Sequence, residues 1–280
     1  MKKIGLVDYF IDEWHSNNYI VWIKELCEKN GYEFEVKYAW AETDTYEGKL
    51  STDAWCAQKG IEKCNTLEEL CCKSDYIMVL APANPEKHLK YAETVLKYGK
   101  NTYIDKTFAP CADEAKKIFA LGEKYATKFF STSALRYAEE LDDCRNAIAM
   151  MLKGGGRSFD EYIIHQIEML VKTMGIGAEC VKVFSSGNQK MCVVKYADGR
   201  CCFLEYAPSN SFGVIAEDGT GNAINKGITS PFFVNLLEHI LKFFLDGELP
   251  FEKMQTIEVI RIRDALLKAA QTSDTWIKLI

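Results

Sequence analysis

The spacing of apolar residues gives the chain two different rhythms. Up to about residue 134, short apolar runs alternate with longer stretches in which apolar side chains recur every three or four positions. Residues 3–7, 34–41, 76–80, 102–104 and 128–132 predict strands; 19–30, 86–98 and 109–126 predict helices. Ser16 or Asn17 is placed to cap the first helix, and Gly99 ends the second. The capping pattern Thr66-Leu67-Glu68-Glu69-Leu70 predicts a short helix. Residues 43–59 read as a polar loop with one helical turn. Regular alternation of strand and helix implies a parallel sheet covered on both faces.

After Arg136 the rhythm changes. Residues 141–153 predict a helix broken at Gly154-Gly155-Gly156, and 160–173 predict another. Strands then follow without helices between them: 180–184, 191–196, 201–206 and 212–216, with Asp198-Gly199 as a hairpin turn. They predict an open antiparallel sheet. Cys192, Val194 and Tyr196 oppose Met191 and Val193, so both faces are apolar. Helices should cover one face and a second protomer the other. Helices over 231–245 and 256–270 complete the chain.

Composition narrows the function classes. At 280 residues and 48% hydrophobic, the chain can bury two modest cores. A net charge of −6 without a basic tract argues against nucleic acid. No apolar run reaches membrane-spanning length, and the apolar part of the N-terminus is too short for a signal peptide. The eleven cysteines include the adjacent pairs Cys71-Cys72 and Cys201-Cys202 but no C-x-x-C. That spacing suits neither zinc nor a disulfide framework, so no metal site is expected, and reduced thiols in a cytoplasmic protein are.

The candidate chemistry begins at Lys106, at the exit of the strand 102–104. Parallel strands joined by helices offer their carboxyl ends to ligands, so a cation there is suggestive. The first strand should run into G-x-G-x-x-G if it cradles a dinucleotide pyrophosphate. Instead, residues 8–18 contain no glycine and carry Asp8, Asp12 and Glu13, which would repel a dianion. Trp14 and His15 either face the ligand cleft or anchor the loop. Glu42 closes the second strand, where an acid accepts hydrogen bonds from an adenosine ribose; the other reading is an ordinary polar strand end. Glu161, His165 and Glu168 share one helix face. A histidine between two carboxylates can be oriented and take a proton near neutral pH, though a half-buried structural histidine fits the same spacing.

In order, Leu80-Ala81-Pro82, His88, Gly99-Lys100 and Asp105-Lys106-Thr107 resemble the A-T-P…H…G-K…E-K-P series of the glucose–fructose oxidoreductase/inositol dehydrogenase/MocA family. Arg136-Tyr137, the helix Glu161-x-x-x-His165-x-x-Glu168 and Gly247-Glu248-Leu249-Pro250 resemble later segments of it. The resemblance implies an α/β fold: a Rossmann-like doubly wound parallel sheet in residues 1–134, then an α+β domain with an open antiparallel sheet in 135–280. It implies an NAD(P)-dependent oxidoreductase acting on a sugar, cyclitol or related polyol hydroxyl, with NAD as cofactor and NADP possible. Lys106 then corresponds to the catalytic lysine, His165 to the acid/base and Glu161 to the carboxylate one turn before it. Asp8, His15, Glu42 and Asp105 are expected to border the cofactor, with Ala81, Pro82, Asn84 and His88. Arg136 and Tyr162 are expected to join Lys106 and His165 on the substrate. A homodimer or homotetramer through the antiparallel sheet is expected. This chain departs from the family in lacking the glycine fingerprint, in having Thr107 for the proline, Glu161 for the aspartate, and a trimmed second half. A non-catalytic carbohydrate- or metabolite-binding relative without a dinucleotide is the alternative.

Overall fold

Runs such as Ile77-Met78-Val79, buried on every side, become central strands rather than half-exposed ones. The structure, a computed structural model, describes residues 1–144, 147–272 and 274–279. They form two compact units: Met1–Thr132 with Leu237–Phe251, and Ser133–Leu236 with Glu252–Ile280.

In the first unit, β1 (Lys2–Asp8), β2 (Phe34–Ala41), β3 (Glu62–Lys63), β4 (Tyr76–Val79), β5 (Thr102–Asp105) and β6 (Phe129–Thr132) form one parallel sheet. Its order, β3-β2-β1-β4-β5-β6, reverses between β1 and β4. This is the doubly wound order whose crevice beyond the strand ends receives ligands. The helices are α1 (Trp14–Asn30), α2 (Thr52–Lys59), α3 (Leu67–Lys73), α4 (Pro85–Val95) and α5 (Ala112–Tyr125). Thr66 caps α3 as its sequence predicts, accepting from Glu69 N at 3.0 Å. Gly99 stops the turn that follows α4, in the left-handed conformation.

Two expectations need correction here. The first helix begins at Trp14, five residues early, because Glu13 rather than Ser16 or Asn17 caps it. The supposed loop 43–59 contains the two-turn α2, capped by Ser51 and ended by Gly60. Between them, Asp12 accepts from Asn17 Nδ2 (2.8 Å) and Leu50 N (2.9 Å), so side chains hold a turn that glycines usually make.

The second unit contains β7 (Ala149–Gly154), α6 (Phe159–Met174), β8 (Ala178–Ser186), β9 (Gln189–Tyr196), β10 (Cys201–Tyr206), β11 (Gly213–Glu217), β12 (Ala223–Gly227), α8 (Lys253–Gln271) and β13 (Ile277–Lys278). The helix α7 (Phe232–Asp246) is shared between the units, its residues from Leu237 onward counting with the first. The sheet order is β12-β11-β7-β10-β9-β8-β13. It is mixed rather than wholly antiparallel, because β7 runs parallel to β10.

The helix expected over 141–153 is a 3₁₀ segment, Glu139–Cys144, and then β7; Arg145 and Asn146 lie outside the described residues. Met150 and Leu152 are buried while Lys153 is exposed, a period of two that Met and Leu, good helix formers, conceal. Pairing with both β10 and β11 overrides that propensity. The helices α6 and α8 cover one sheet face, over Val181, Val194, Cys202 and Met150. The other face carries Phe184, Met191, Phe203 and Ile215, each at least 36% exposed. Cross-strand register aligns Val193, Phe203, Met151 and Ile215 in one row over four strands.

Candidate functional site

In the first unit the polar side chains gather where β1, β4 and β5 end. Lys106 directly follows β5, is 8% exposed, and donates from Nζ to Pro82 O at 3.0 Å. The peptide bond between Lys106 and Thr107 is cis, where the sequence has threonine rather than proline. Pro82 belongs to the turn after β4, which begins at Ala81 with a φ of 48°. This left-handed residue is held by Asp8, whose Oδ1 accepts from Ala81 N at 3.1 Å and Tyr9 N at 2.8 Å. Asn84 caps α4 without a side-chain cap bond; its Nδ2 donates to Glu86 at 3.1 Å.

Asp8 is 1% exposed, and its Oδ2 makes no hydrogen bond. Burial, and then the charge of Glu13, push its carboxyl well above the ordinary 3.8. Asp105, equally buried, accepts from Tyr103 OH at 2.8 Å. His15 stands between two acids, with Nδ1 3.0 Å from Glu13 Oε1 and Nε2 3.7 Å from Asp105 Oδ2. Glu13 also accepts the N–H of His15 at 2.6 Å and that of Ser16, while Ser16 Oγ accepts from Glu13 N at 3.4 Å. Burial raises the Glu13 pKa. The His15 side chain and the N–H groups of His15 and Trp14 outweigh it and hold the carboxylate below its usual range.

Glu42, at the end of β2, meets Lys87 at 2.7 Å and Lys90 at 3.0 Å. Partial burial opposes its ionisation, but these two lysines and Tyr91 bring it down to about 2. The sequence shows no arginine beside Glu42; the fold brings two lysines there from α4.

His88 takes a different role from the one expected. It is fully buried, with Nε2 2.8 Å from Leu80 O and Nδ1 3.0 Å from Phe108 O. Both ring nitrogens are spent on backbone, so the residue ties the exit of β4 to the segment after Lys106 instead of meeting a cofactor. Burial pulls its pKa down, against the two carbonyls.

In the second unit His165 lies on α6, half-buried, with Nδ1 2.6 Å from Ser133 Oγ. Ser133 N donates to Glu168 Oε1 at 3.2 Å. The carboxylate one turn after His165 thus acts on it through Ser133. Glu161, expected to orient the imidazole, pairs with Arg157 one turn earlier. Tyr162 and Phe212 bracket the ring edge-on, with centroids at 5.5 and 5.8 Å. Gly156, with a φ of 154°, leaves room for Tyr162, since a Cβ there would fall 2.1 Å from its ring.

Arg136 is corrected as a substrate contact. At 5% exposure its guanidinium is committed to Glu168, 3.1 Å away, and to Gln255. It braces α6 and α8 from inside the unit. Ser133 and Glu13, the residues that fix the two histidines, were missed. Ser133 lies 32 residues from its partner, and the only signal for Glu13 was the spacing Glu13-x-x-Ser16, a capping box with its acid and hydroxyl exchanged.

The turn between β1 and α1 does not fit a dinucleotide pyrophosphate as it stands. Glu13 occupies the N–H groups that open α1, and Asp8 and Asp105 add acidic side chains beside them. Among the described residues no cluster of His, Cys, Asp and Glu suits a metal ion. Among the described residues no helix is long and apolar enough to cross a membrane.

The fold is similar to that of a scyllo-inositol dehydrogenase from Lactobacillus casei solved with NAD(H) and scyllo-inositol, with a TM-score of 0.76, 12% identity and 99% of each chain covered. It is similar to GenD2 from gentamicin A biosynthesis in complex with NAD, with a TM-score of 0.78, 12% identity and coverage of 100% of this chain and 96% of that one. An oxidoreductase from Thermotoga maritima gives a TM-score of 0.77 at 12% identity, covering 99% and 98%. At these identities the likeness is one of fold. No family model and no curated protein matches the chain.

Proposed function

We propose that the chain is an NAD(P)-dependent oxidoreductase acting on a hydroxyl of a sugar, cyclitol or related polyol. The observation that carries this reading is Lys106, a nearly buried ammonium at the carboxyl edge of a doubly wound sheet. Two proteins of similar fold, described with NAD or with NAD(H) and scyllo-inositol, support it. Lys106 donates a hydrogen bond to the reacting oxygen and stabilises the negative charge that develops there. In the second unit His165, held through Nδ1 by Ser133, is the group suited to exchanging a proton. Tyr162 packs against that ring and gives the polyol an aromatic wall. A nicotinamide would supply the redox chemistry; the protein supplies placement and proton handling.

Lys106→Met should abolish turnover, followed as absorbance of reduced nicotinamide over a panel of polyols, while calorimetry finds cofactor affinity nearly intact. His165→Ala should cost about 10²-fold or more in rate. Full activity in either variant refutes the assigned role.

A second reading, a metabolite-binding protein without a dinucleotide, is favoured by one observation: Glu13 already caps α1. Thermal unfolding with and without NAD(H) and NADP(H) separates the two, since a ligand of the folded state raises the melting temperature. We assign the exposed apolar face of the mixed sheet to a second copy of the chain.

A further inference from the structure

Lys106 carries the proposed reaction, yet both ends of its anchorage lie on loops. The ladder between β4 and β5 ends at the pair Val79 and Ile104, two residues before Lys106. The ammonium donates to Pro82 O at 3.0 Å, in the turn after β4. Past the ladder, no backbone hydrogen bond joins residues 80–84 to residues 105–109 among the described residues. A misplacement of about 1 Å at a reacting group can cost about 10²-fold in rate. Something other than the ladder must therefore fix the two loops against each other.

The ring of His88 stands between them. From α4 it reaches Leu80 O with Nε2 at 2.8 Å and Phe108 O with Nδ1 at 3.0 Å. Leu80 lies two residues before Pro82, and Phe108 two residues after Lys106. The ring thus grips both loops at the same remove from the Lys106–Pro82 bond. Each loop is also anchored beyond the ring. Asp8 Oδ1 accepts from Ala81 N at 3.1 Å, and the Phe108 ring packs on Phe119 and Phe129, with centroids at 5.1 and 6.0 Å. A side chain that only filled the core would need no N–H groups, whereas here both carbonyls belong to buried residues that depend on them. Either neutral tautomer donates to one carbonyl. The second bond closes when the ring is also protonated, a state that burial and Lys106 oppose and Asp105 favours.

We propose that His88 is the positioning residue of Lys106: its ring clamps Leu80 O and Phe108 O, and so holds the ammonium on Pro82 O and aimed at the reacting oxygen. His88 touches neither substrate nor cofactor in this role and acts only through Lys106. The role in catalysis rests on the oxidoreductase reading; the clamp itself does not.

The test compares wild type with His88→Phe, a ring without N–H groups, and His88→Gln, whose amide nitrogen reaches as far as Nε2 and keeps the Leu80 bond alone. Brief labelling of the whole chain with acetic anhydride, read by mass spectrometry, reports how firmly each lysine is held. Lys100 is the internal reference, since its ammonium also donates to carbonyls, those of Cys71, Cys72 and Ser74. In His88→Phe, Lys106 should label about tenfold faster than in wild type while Lys100 keeps its rate. His88→Gln should fall between, about threefold faster than wild type, and it decides alone if circular dichroism shows the phenylalanine variant unfolded. An unchanged Lys106 rate overturns the clamp, and so does a parallel rise at Lys100, which would mean general loosening. Over the polyol panel, kcat of the folded variants should fall in the same order, about tenfold or more for phenylalanine, with KM within about twofold. An unchanged kcat, or a loss confined to KM, overturns the catalytic role. If wild type turns over no polyol, the oxidoreductase reading fails and takes that role with it, while the labelling still decides whether His88 holds Lys106.

Discussion

Replacing Arg136 by methionine tests the most committed charge in the second unit. Its side chain and that of Glu168 are 6% and 4% exposed, with Nη1 and Oε2 3.1 Å apart. At that distance and an effective dielectric of about 20, two unit charges attract by about 5 kcal/mol. Taking both out of water offsets much of this, so the intact pair contributes little net stability. Breaking it is another matter. Methionine fills similar space but leaves the Glu168 carboxylate buried with Ser133 N–H as a remaining partner, at a cost of about 3–5 kcal/mol. Replacing both residues, Arg136→Met with Glu168→Leu, removes the stranded charge and should recover most of the loss. A double-mutant cycle should therefore show about 2 kcal/mol or more of coupling. Urea unfolding reads this well, because Trp276 is the one tryptophan in the second unit and the other four lie in the first. With a slope of about 3 kcal/mol per molar urea, the midpoint followed by Trp276 fluorescence should fall by about 1 M or more. A loss below about 1 kcal/mol, or additive effects in the double variant, would show that the pair is solvated and that Arg136 faces outward after all.

Three further outcomes follow from the geometry. Asp8 has a raised folded pKa, so its contribution to stability is fully present below about 3.8 and is lost as pH rises through the folded value; Asp8→Asn should match wild type in acid and gain on it as pH rises, and parallel stability curves from pH 3 to 8 would refute the burial argument. NAD(H) should bind more tightly than NADP(H), and Glu42→Ala, which uncovers Lys87 and Lys90, should shift preference toward the 2′-phosphate by about tenfold; an unchanged ratio in calorimetry removes Glu42 from cofactor choice. Phe203→Glu should convert a dimer to monomers in light scattering at micromolar concentration, since it puts a charge into the exposed apolar row; a monomeric wild type would sink the assignment of that face.

What the sequence showed, and what it hid, divides by the range of the interactions. The strand Phe34–Ala41 and the cap at Thr66 were legible because β-rich alternation and a hydroxyl before two glutamates are local signals. That the first sheet is parallel followed from strand–helix alternation, and the exit of the strand 102–104 located Lys106; the strand order itself came only from the structure. The strand Ala149–Gly154 was not legible, because its Met and Leu residues also suit a helix and only the slot between β10 and β11 decides. The edge strands Ala223–Gly227 and Ile277–Lys278 are too short and too exposed to leave a periodic trace. The site shows the same division. The histidine on α6 was visible, but the serine that holds it comes from the junction after β6, which no spacing rule reaches.

The first unit also illustrates a different way to satisfy a sheet edge. Backbone N–H groups near the ends of β1 and β4 must find acceptors. Where a protein relies on a ligand for this, the turn needs glycines so that the phosphate can approach. Here Asp8 takes Tyr9 N and Ala81 N, Asp8 O takes Glu42 N at 3.1 Å, Tyr9 O takes Thr43 N at 2.8 Å, and Glu13 takes the opening N–H groups of α1. With those groups satisfied from within, the chain can hold this edge by itself, and Ala81 keeps its left-handed backbone because a carboxylate fixes its N–H. The consequence for binding is energetic. An anion arriving here gains only the difference between its own hydrogen bonds and those it displaces, so affinity must come from the rest of the ligand. Selection by the part of the ligand that meets Glu42, Lys87 and Lys106 is therefore expected to outweigh selection by phosphate.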